Sequence, residues 1–328
     1  MNEHFLQSED WEKYEKLEGK TTFREKGENF NALAILNHTP LGNYLYLPYG
    51  PTLNDKNPEK SLNEALKALK TLAKNENAYV IRIEPTIALE ASKIAKIAKN
   101  LKTNSKKSHD LDPKDTWVLD LDIPEEELLD GIEKTKVRNW KNRANKNISI
   151  RTTKNPEEIG ILIKFLKEIG EKDNFTPQDE NHLKNQLKSG FATLYICEVE
   201  EPENSENPEK LVKTPIGASL IYDYKDTRFY AHAATDSEHR KLRAGNILLI
   251  QMILDAKNDG KKFFDFWGIT KSTDENHPWY GFTQYKMSFG GREVNYSGTY
   301  DIILNPVKYR LYEILRKANR TVRKIRHS

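Results

Sequence analysis

Two runs of cations are the first residues in this chain whose type and spacing imply chemistry. Residues 133–151 (EKTKVRNWKNRANKNISIR) carry seven Lys/Arg against one Glu, and residues 308–328 carry eight against one. Together they hold +13 in a chain whose net charge is +3, which leaves the rest of the molecule at −10. Positive charge gathered in this way suits a polyanion: RNA, a pyrophosphate or an anionic lipid surface. For each run the alternative is a merely solvated, Lys-rich helix face. Covalent and metal chemistry have less support. Cys197 is the single cysteine, so a disulfide framework and a cysteine-rich metal site are excluded and a reducing compartment is expected. In mid-strand it reads as a small core residue. The eight His show no metal-ligand spacing, and no Ser/His/Asp series stands out. Asp265, in FFDFWG, is either an acid/base group or a structural cap.

The elements that must position these residues follow from periodicity and punctuation. Ser8 is a plausible N-cap for a short helix around Trp11, Tyr14 and Leu17, ended by Gly19. NALAILN and NYLYLPYG read as strands, closed by Pro48, Gly50 and Pro51. Ser61-Leu62-Asn63-Glu64 is a capping box opening a helix with Leu62, Leu66, Leu69 and Leu72/Ala73 as its stripe. The strand YVIRIEP and an Ala/Ile-rich helix over roughly 87–101 follow. A second series begins with TWVLDLD (116–122), then a helix from Asp122 and Pro124 with Glu early and Lys/Arg late, as the helix dipole favours. Asn155-Pro156-Glu157-Glu158 starts another helix, striped by Ile159, Ile163, Leu166 and Ile169. Strands ATLYICEVE, GASLIYDY and RFYAHAAT, a helix near 243–258 and the strand KFFDFWG complete it, with EPENSENPEK as a hairpin insertion. In the tail, Val307, Leu311, Ile314, Leu315, Ala318, Val322 and Ile325 share one helical face, and core packing of that face is expected. The N-terminus lacks the apolar core of a signal peptide, and no stretch approaches the ~18 apolar residues of a membrane span.

The order strand, turn, helix, strand in YAHAATDSEHRKLRAGNILLIQMILDAKNDGKKFFDFWG is the layout of an acyltransferase core of the GNAT type. Acetyl-CoA enzymes of that class carry a Q/R-x-x-G-x-G/A turn whose backbone amides cradle a pyrophosphate at a helix N-terminus. Counting from Arg240 puts Arg243 at the first glycine position, where a side chain should block the close approach, while Gly245 keeps the second.

With its flanks, this region resembles the Fem family of peptidoglycan aminoacyltransferases. The resemblance rests on Tyr46-Leu47-Pro48-Tyr49-Gly50-Pro51, Ile81-Arg82-Ile83-Glu84-Pro85, and Asp112-Pro113 before Thr116-Trp117-Val118-Leu119-Asp120-Leu121. It continues through Val137-Arg138-Asn139-Trp140-Lys141-Asn142-Arg143-Ala144, Phe264-Asp265-Phe266-Trp267-Gly268-Ile269 and Phe282-Thr283-Gln284-Tyr285-Lys286-Met287-Ser288-Phe289-Gly290. The resemblance implies an α/β fold of two GNAT-like domains, mixed sheets flanked by helices. The first domain is expected at 1–112 plus 296–328 and the second at 113–295. It further implies no metal or nucleotide cofactor, an aminoacyl-tRNA donor, and an amine acceptor on a muropeptide or lipid-linked precursor. A cytoplasmic monomer, with peripheral contact at the inner membrane face, is expected.

Such a reaction needs no enzymic nucleophile, because an aminoacyl ester is already activated. The protein must position the partners, stabilise the oxyanion and expose a free amine whose ordinary pKa is near ~10. By the resemblance, Lys286 holds the family's aromatic-Lys position before Phe-Gly. On a strand there it would point away from Tyr285 and Met287 toward the tetrahedral intermediate; Tyr285 replaces the usual Phe. Glu84, Tyr230, Asp265 and Trp267 are expected at the substrate. Gln178 stands where an Arg for the acceptor's phosphates is common, His182 replaces an aromatic, and His232 replaces a Tyr. Lys13 and Lys16 are the candidates for the N-terminal phosphate lysine. Arg138, Lys141 and Arg143 are expected to meet tRNA. Two other readings stand beside aminoacyl transfer: an acyl-CoA or acyl-carrier N-acyltransferase, and a non-catalytic RNA- or membrane-surface-binding protein.

Overall fold

The computed structural model describes residues 3–173, 177–203 and 209–326, and the chain divides into two compact units, Met1–Lys114 with Asn295–Ser328, and Asp115–Val294.

In the first unit, Ser8 caps the helix Glu9–Leu17, its hydroxyl accepting from Trp11 N at 3.1 Å. A seven-stranded sheet runs Thr21–Lys26, Phe30–Thr39, Gly42–Leu47, Ala78–Ile83, Tyr300–Ile303, Asn104–Lys107, with Thr52–Leu53 pairing to Phe30–Thr39. Gly42–Leu47 and Ala78–Ile83 are parallel, and the C-terminal segment supplies Tyr300–Ile303 between two antiparallel neighbours. The helix Pro58–Asn75 buries Leu62, Leu66, Leu69 and Ala73 against this sheet. It does not begin at the expected capping box. Asn57 is the cap and Pro58, with its preset φ, opens the first turn. Ser61 lies buried inside the helix, its hydroxyl bonded to Asn29 O and accepting from Asn54 N at 2.9 Å.

The C-terminal helix Pro306–Arg326 corrects a second expectation. Its docked face is not the aliphatic stripe. Tyr309 is buried and donates to Asp301 Oδ2 at 2.8 Å, and Tyr312 Oη accepts from Arg82 Nη2 at 3.3 Å. Val307, Leu311, Ile314 and Leu315 are exposed, as is Ala318. Val322 and Ile325 lie outside the residues whose side chains are described. Polar anchoring by Tyr309 and Tyr312 fixes which way the helix faces, and hydrophobic periodicity alone does not reveal it.

The second unit holds a seven-stranded sheet in the order Arg292–Asn295, Asp115–Asp120, Phe263–Gly268, Thr227–Thr235, Leu211–Tyr224, Ala192–Pro202, Ile148–Thr153. Leu211 pairs with Pro202, as the expected hairpin requires; residues 204–208 of that insertion lie outside the described residues. Thr227–Thr235 and Phe263–Gly268 are parallel, and their pairing stops after Phe229↔Asp265 although both strands run on. The helix Ala244–Asn258 is apolar nearly all round and buried accordingly. The basic segment expected as one helix is two, Glu125–Asp130 and Lys134–Lys141. Buried Ile132 turns inward between them, and Glu133 N bonds to Ser288 O at 3.0 Å. Tyr280–Met287 is a helix, not a strand. Ser288 is its C-cap, and Gly290 and Gly291 follow, both at positive φ; a Cβ on Gly291 would lie 2.6 Å from Val118 O.

Candidate active site

The parting of two parallel strands opens the second unit where its functional candidates gather. Past Phe229↔Asp265 the strand Phe263–Gly268 bulges against Asp115–Asp120, and Trp267 adopts φ 65°, a conformation costly for a bulky residue. The Asp265 carboxylate holds that bulge. Its Oδ1 accepts from Trp267 N at 2.7 Å and from Thr116 Oγ1 at 2.5 Å. Burial pushes the carboxyl above its ordinary range, opposed by those two donors and by the charge of Lys286. Asp265 is therefore a cap with an electrostatic reach toward Lys286.

Lys286 is 1% exposed. Its Nζ donates to Gly268 O at 2.7 Å and sits 3.8 Å from the centre of the Phe282 ring, one turn earlier on the same helix. Burial lowers it to about 7, with Asp265 resisting the shift. Beside it, Thr283 Oγ1 accepts from Thr270 N at 3.0 Å and fixes the loop that follows Gly268. The expected strand orientation fails because consecutive helical residues point about 100° apart. Lys286 turns to Gly268, and Tyr285 turns to a cavity of about 280 Å³ lined also by Tyr230, Thr235, Arg240, Arg243 and Gly245. A Cβ on Gly245 would lie 3.3 Å from the Tyr285 hydroxyl oxygen. Burial raises both phenols, so Tyr285 and Tyr230 stay neutral donors at ordinary pH. Arg243 precedes the helix Ala244–Asn258 at φ 61°. The turn thus keeps a glycine-like backbone while carrying a cationic side chain.

A third group lies on the neighbouring strands. The Tyr222 ring is 6.2 Å from Trp267 and 6.4 Å from His232. Burial, then the charge of His182, lowers His232 to about 4, so it is neutral near pH 7. Gln178 is exposed beside Asp179, which caps the helix Glu180–Lys188. Arg138 and Lys141 are exposed, whereas Arg143 stacks 4.6 Å from the Trp140 ring and donates to Trp140 O at 2.9 Å.

The first unit holds the other candidates. Lys13 and Lys16 are surface cations paired with Asp10 at 3.0 Å and Glu12 at 2.8 Å. Glu84 is buried in a carboxyl cluster. Its Oε2 lies 2.8 Å from Tyr46 Oη, which is 2.6 Å from Asp112 Oδ2, and its Oε1 accepts from Thr299 Oγ1 at 2.5 Å. One phenolic hydrogen cannot serve both carboxyls, so one carboxyl must bring its own proton. Burial and then the Glu84 charge push Asp112 up to about 7, which makes it the proton holder. Tyr46 and Asp112 escape a reading by residue type. The signal was present in the YLPYGP and Asp112-Pro113 motifs, which sequence alone does not bring together.

The FemAB family model matches residues 1–199 and 185–317. A lipid II:glycine glycyltransferase of Staphylococcus haemolyticus (strain JCSC1435) is 23% identical over 332 residues, 80% of this chain and 77% of that one. The fold is similar to the crystal structure of FemX, with a TM-score of 0.80, 19% identity and 94% of each chain covered. It is also similar to a tandem GNAT protein from the clavulanic acid biosynthesis pathway, with a TM-score of 0.53, 12% identity, and 88% of this chain and 84% of that one covered. With a family model spanning nearly its whole length and a fold of two mixed sheets flanked by helices, the chain belongs to the FemAB family and is an aminoacyltransferase.

Proposed function

We propose that this chain transfers an amino acid from aminoacyl-tRNA to an amine on the stem peptide of a peptidoglycan precursor, building a cross-bridge. The amine nitrogen attacks the ester carbonyl carbon and a C–N bond forms. The C–O bond to the ribose then breaks, and the ribose oxygen leaves as a hydroxyl with the proton the amine gives up. The staphylococcal lipid II:glycine glycyltransferases it resembles favour a lipid-linked acceptor over a nucleotide-linked one.

The observation that carries this reading is the setting of Lys286. It is buried, held near neutrality, and bonded to one carbonyl among the described residues. An ammonium has three donors, so two remain for the oxygen on which charge develops. We assign the phosphates near the acyl donor's end to the cavity lined by Tyr230 and Tyr285, where Arg240 and Arg243 suit them at a helix N-terminus, and the ester carbonyl to Lys286, outside that lining. The same left-handed turn at Arg243 favours acyl-CoA as the second reading.

The test supplies purified protein with charged tRNAs and either lipid II or its nucleotide-linked precursor, the products being read by mass spectrometry. The expected product is the stem peptide heavier by one aminoacyl residue. Acyl transfer from acetyl-CoA, with saturable binding at micromolar concentration, would overturn the proposal.

A further inference from the structure

The C-terminal helix Pro306–Arg326 is docked by one face and displays an aliphatic stripe on the other. Tyr309, Tyr312 and Glu313 define the docked face through Asp301, Arg82 and Lys106. At 100° per residue, positions 307, 311, 314 and 315 fall on the opposite side. There Val307 is 79% exposed, Leu311 45%, Ile314 55% and Leu315 46%. Arg310 lies along one flank of this stripe and Lys308 along the other. In sequence the same period continues through Val322 and Ile325, within a stretch carrying eight Lys/Arg and one Glu.

We propose that this helix lies in the plane of an anionic lipid bilayer, with the aliphatic stripe among the acyl chains and the flanking cations at the headgroups. Apolar area and cation count act together in such binding, and neither alone makes it stable. The arrangement fits lipid better than its rivals. RNA would engage the cations but leave the four aliphatic side chains in water. A second copy would cover the stripe but oppose its cationic flanks to their own kind. Such binding does not depend on aminoacyl transfer, and it is measured without donor or acceptor.

The full chain is floated with vesicles of phosphatidylcholine alone and with added phosphatidylglycerol, at about 0.1 M and about 0.5 M salt. Partitioning onto the anionic vesicles should exceed that onto neutral ones by about tenfold or more and fall several-fold at the higher salt. The double variant Leu311→Glu, Ile314→Glu should lose about tenfold of that binding with an unchanged melting temperature, since both side chains are already in water. Equal partitioning onto the two vesicle types would overturn the proposal. So would wild-type binding by the double variant, or a concentration-dependent dimer that this variant dissolves. Binding to tRNA with none to vesicles would assign the helix to nucleic acid instead.

Discussion

Both units bury cations, and two of them, Arg82 in the first and Lys286 in the second, are held in opposite ways. In the first unit, Arg82 is 4% exposed and forms a two-pronged pair with Asp301, Nε to Oδ1 at 2.7 Å and Nη2 to Oδ2 at 2.9 Å. Burial opposes its charge, but the bonds and charge of Asp301 outweigh burial and push the guanidinium up. In the second unit, Lys286 is as deeply buried, yet Asp265, whose charge reaches it, has committed an oxygen to Thr116 and Trp267. Lys286 is left with a carbonyl and an aromatic ring, and burial wins. Burial therefore does not decide the state of a cation; the availability of a counter-charge does. Arg82 is locked in one protonation state and anchors structure. Lys286 is poised to change, which suits the role proposed for it.

Breaking the locked pair should have the largest effect. Arg82→Met leaves Asp301 buried without its counter-charge and should cost about 3–5 kcal/mol of stability. Chemical denaturation checks this. Turnover per folded molecule should stay within a few-fold of wild type, which separates anchoring from catalysis.

Removing the poised cation should leave the fold and take the rate. Lys286→Met should lower turnover by about 10²–10³ while the melting temperature moves by a few degrees at most. The pH dependence has a definite sign. If the charged form acts, turnover of the wild type falls as pH rises through about 7, where Lys286 loses its proton. Stability runs the other way. Between about 7 and the ordinary lysine value the unfolded chain binds a proton that the folded chain has released, so Lys286 makes the fold more stable as pH rises. That rise should be missing in Lys286→Met. A rate limb that survives the substitution would move the titration to another group.

Much of the scaffold was legible because burial and period coincide. Ser8, the Leu62–Ala73 stripe and the strands around ATLYICEVE were read from pattern alone, and each is where the pattern puts it. The misreadings share a cause. Tyr280–Met287 fully buries only Thr283 and Lys286, both polar, so its inward face carries little hydrophobic signal to mark it as a helix. Asn104–Lys107 is short, mostly exposed and polar, which leaves no alternation to read. The tail misled for the converse reason. Its aliphatic period is real, but it docks through Tyr309 and Tyr312 onto a charge pair joining positions 82 and 301. At the site, Asp265 and Lys286 stood out by resemblance. The Tyr46–Glu84–Asp112 cluster needs three segments brought together, which residue type and spacing cannot report.

The smallest expected effect belongs to the surface cations of the second unit, and it sharpens the comparison by adding a third kind of positive charge, one left in water. Arg138 and Lys141 are exposed on the helix Lys134–Lys141, whereas Arg143 is spent on Trp140. The three were expected to act together, and the structure divides them. If Arg138 and Lys141 meet phosphates of tRNA, each contact releases condensed counterion, and the slope of log affinity against log salt should become shallower by roughly 0.7–0.9 per residue removed. Arg138→Ala with Lys141→Ala should therefore flatten the slope by roughly 1.4–1.8 without altering stability by more than about 1 kcal/mol, since exposed charges contribute little to folding. Arg143→Ala should instead perturb the packing of Trp140, and with it the fold, more than the slope. Affinity measured by filter binding across a salt series distinguishes these outcomes. An unchanged slope in the double variant, with unchanged affinity, would make this basic helix a solvated face and return tRNA recognition to the cations lining the cavity.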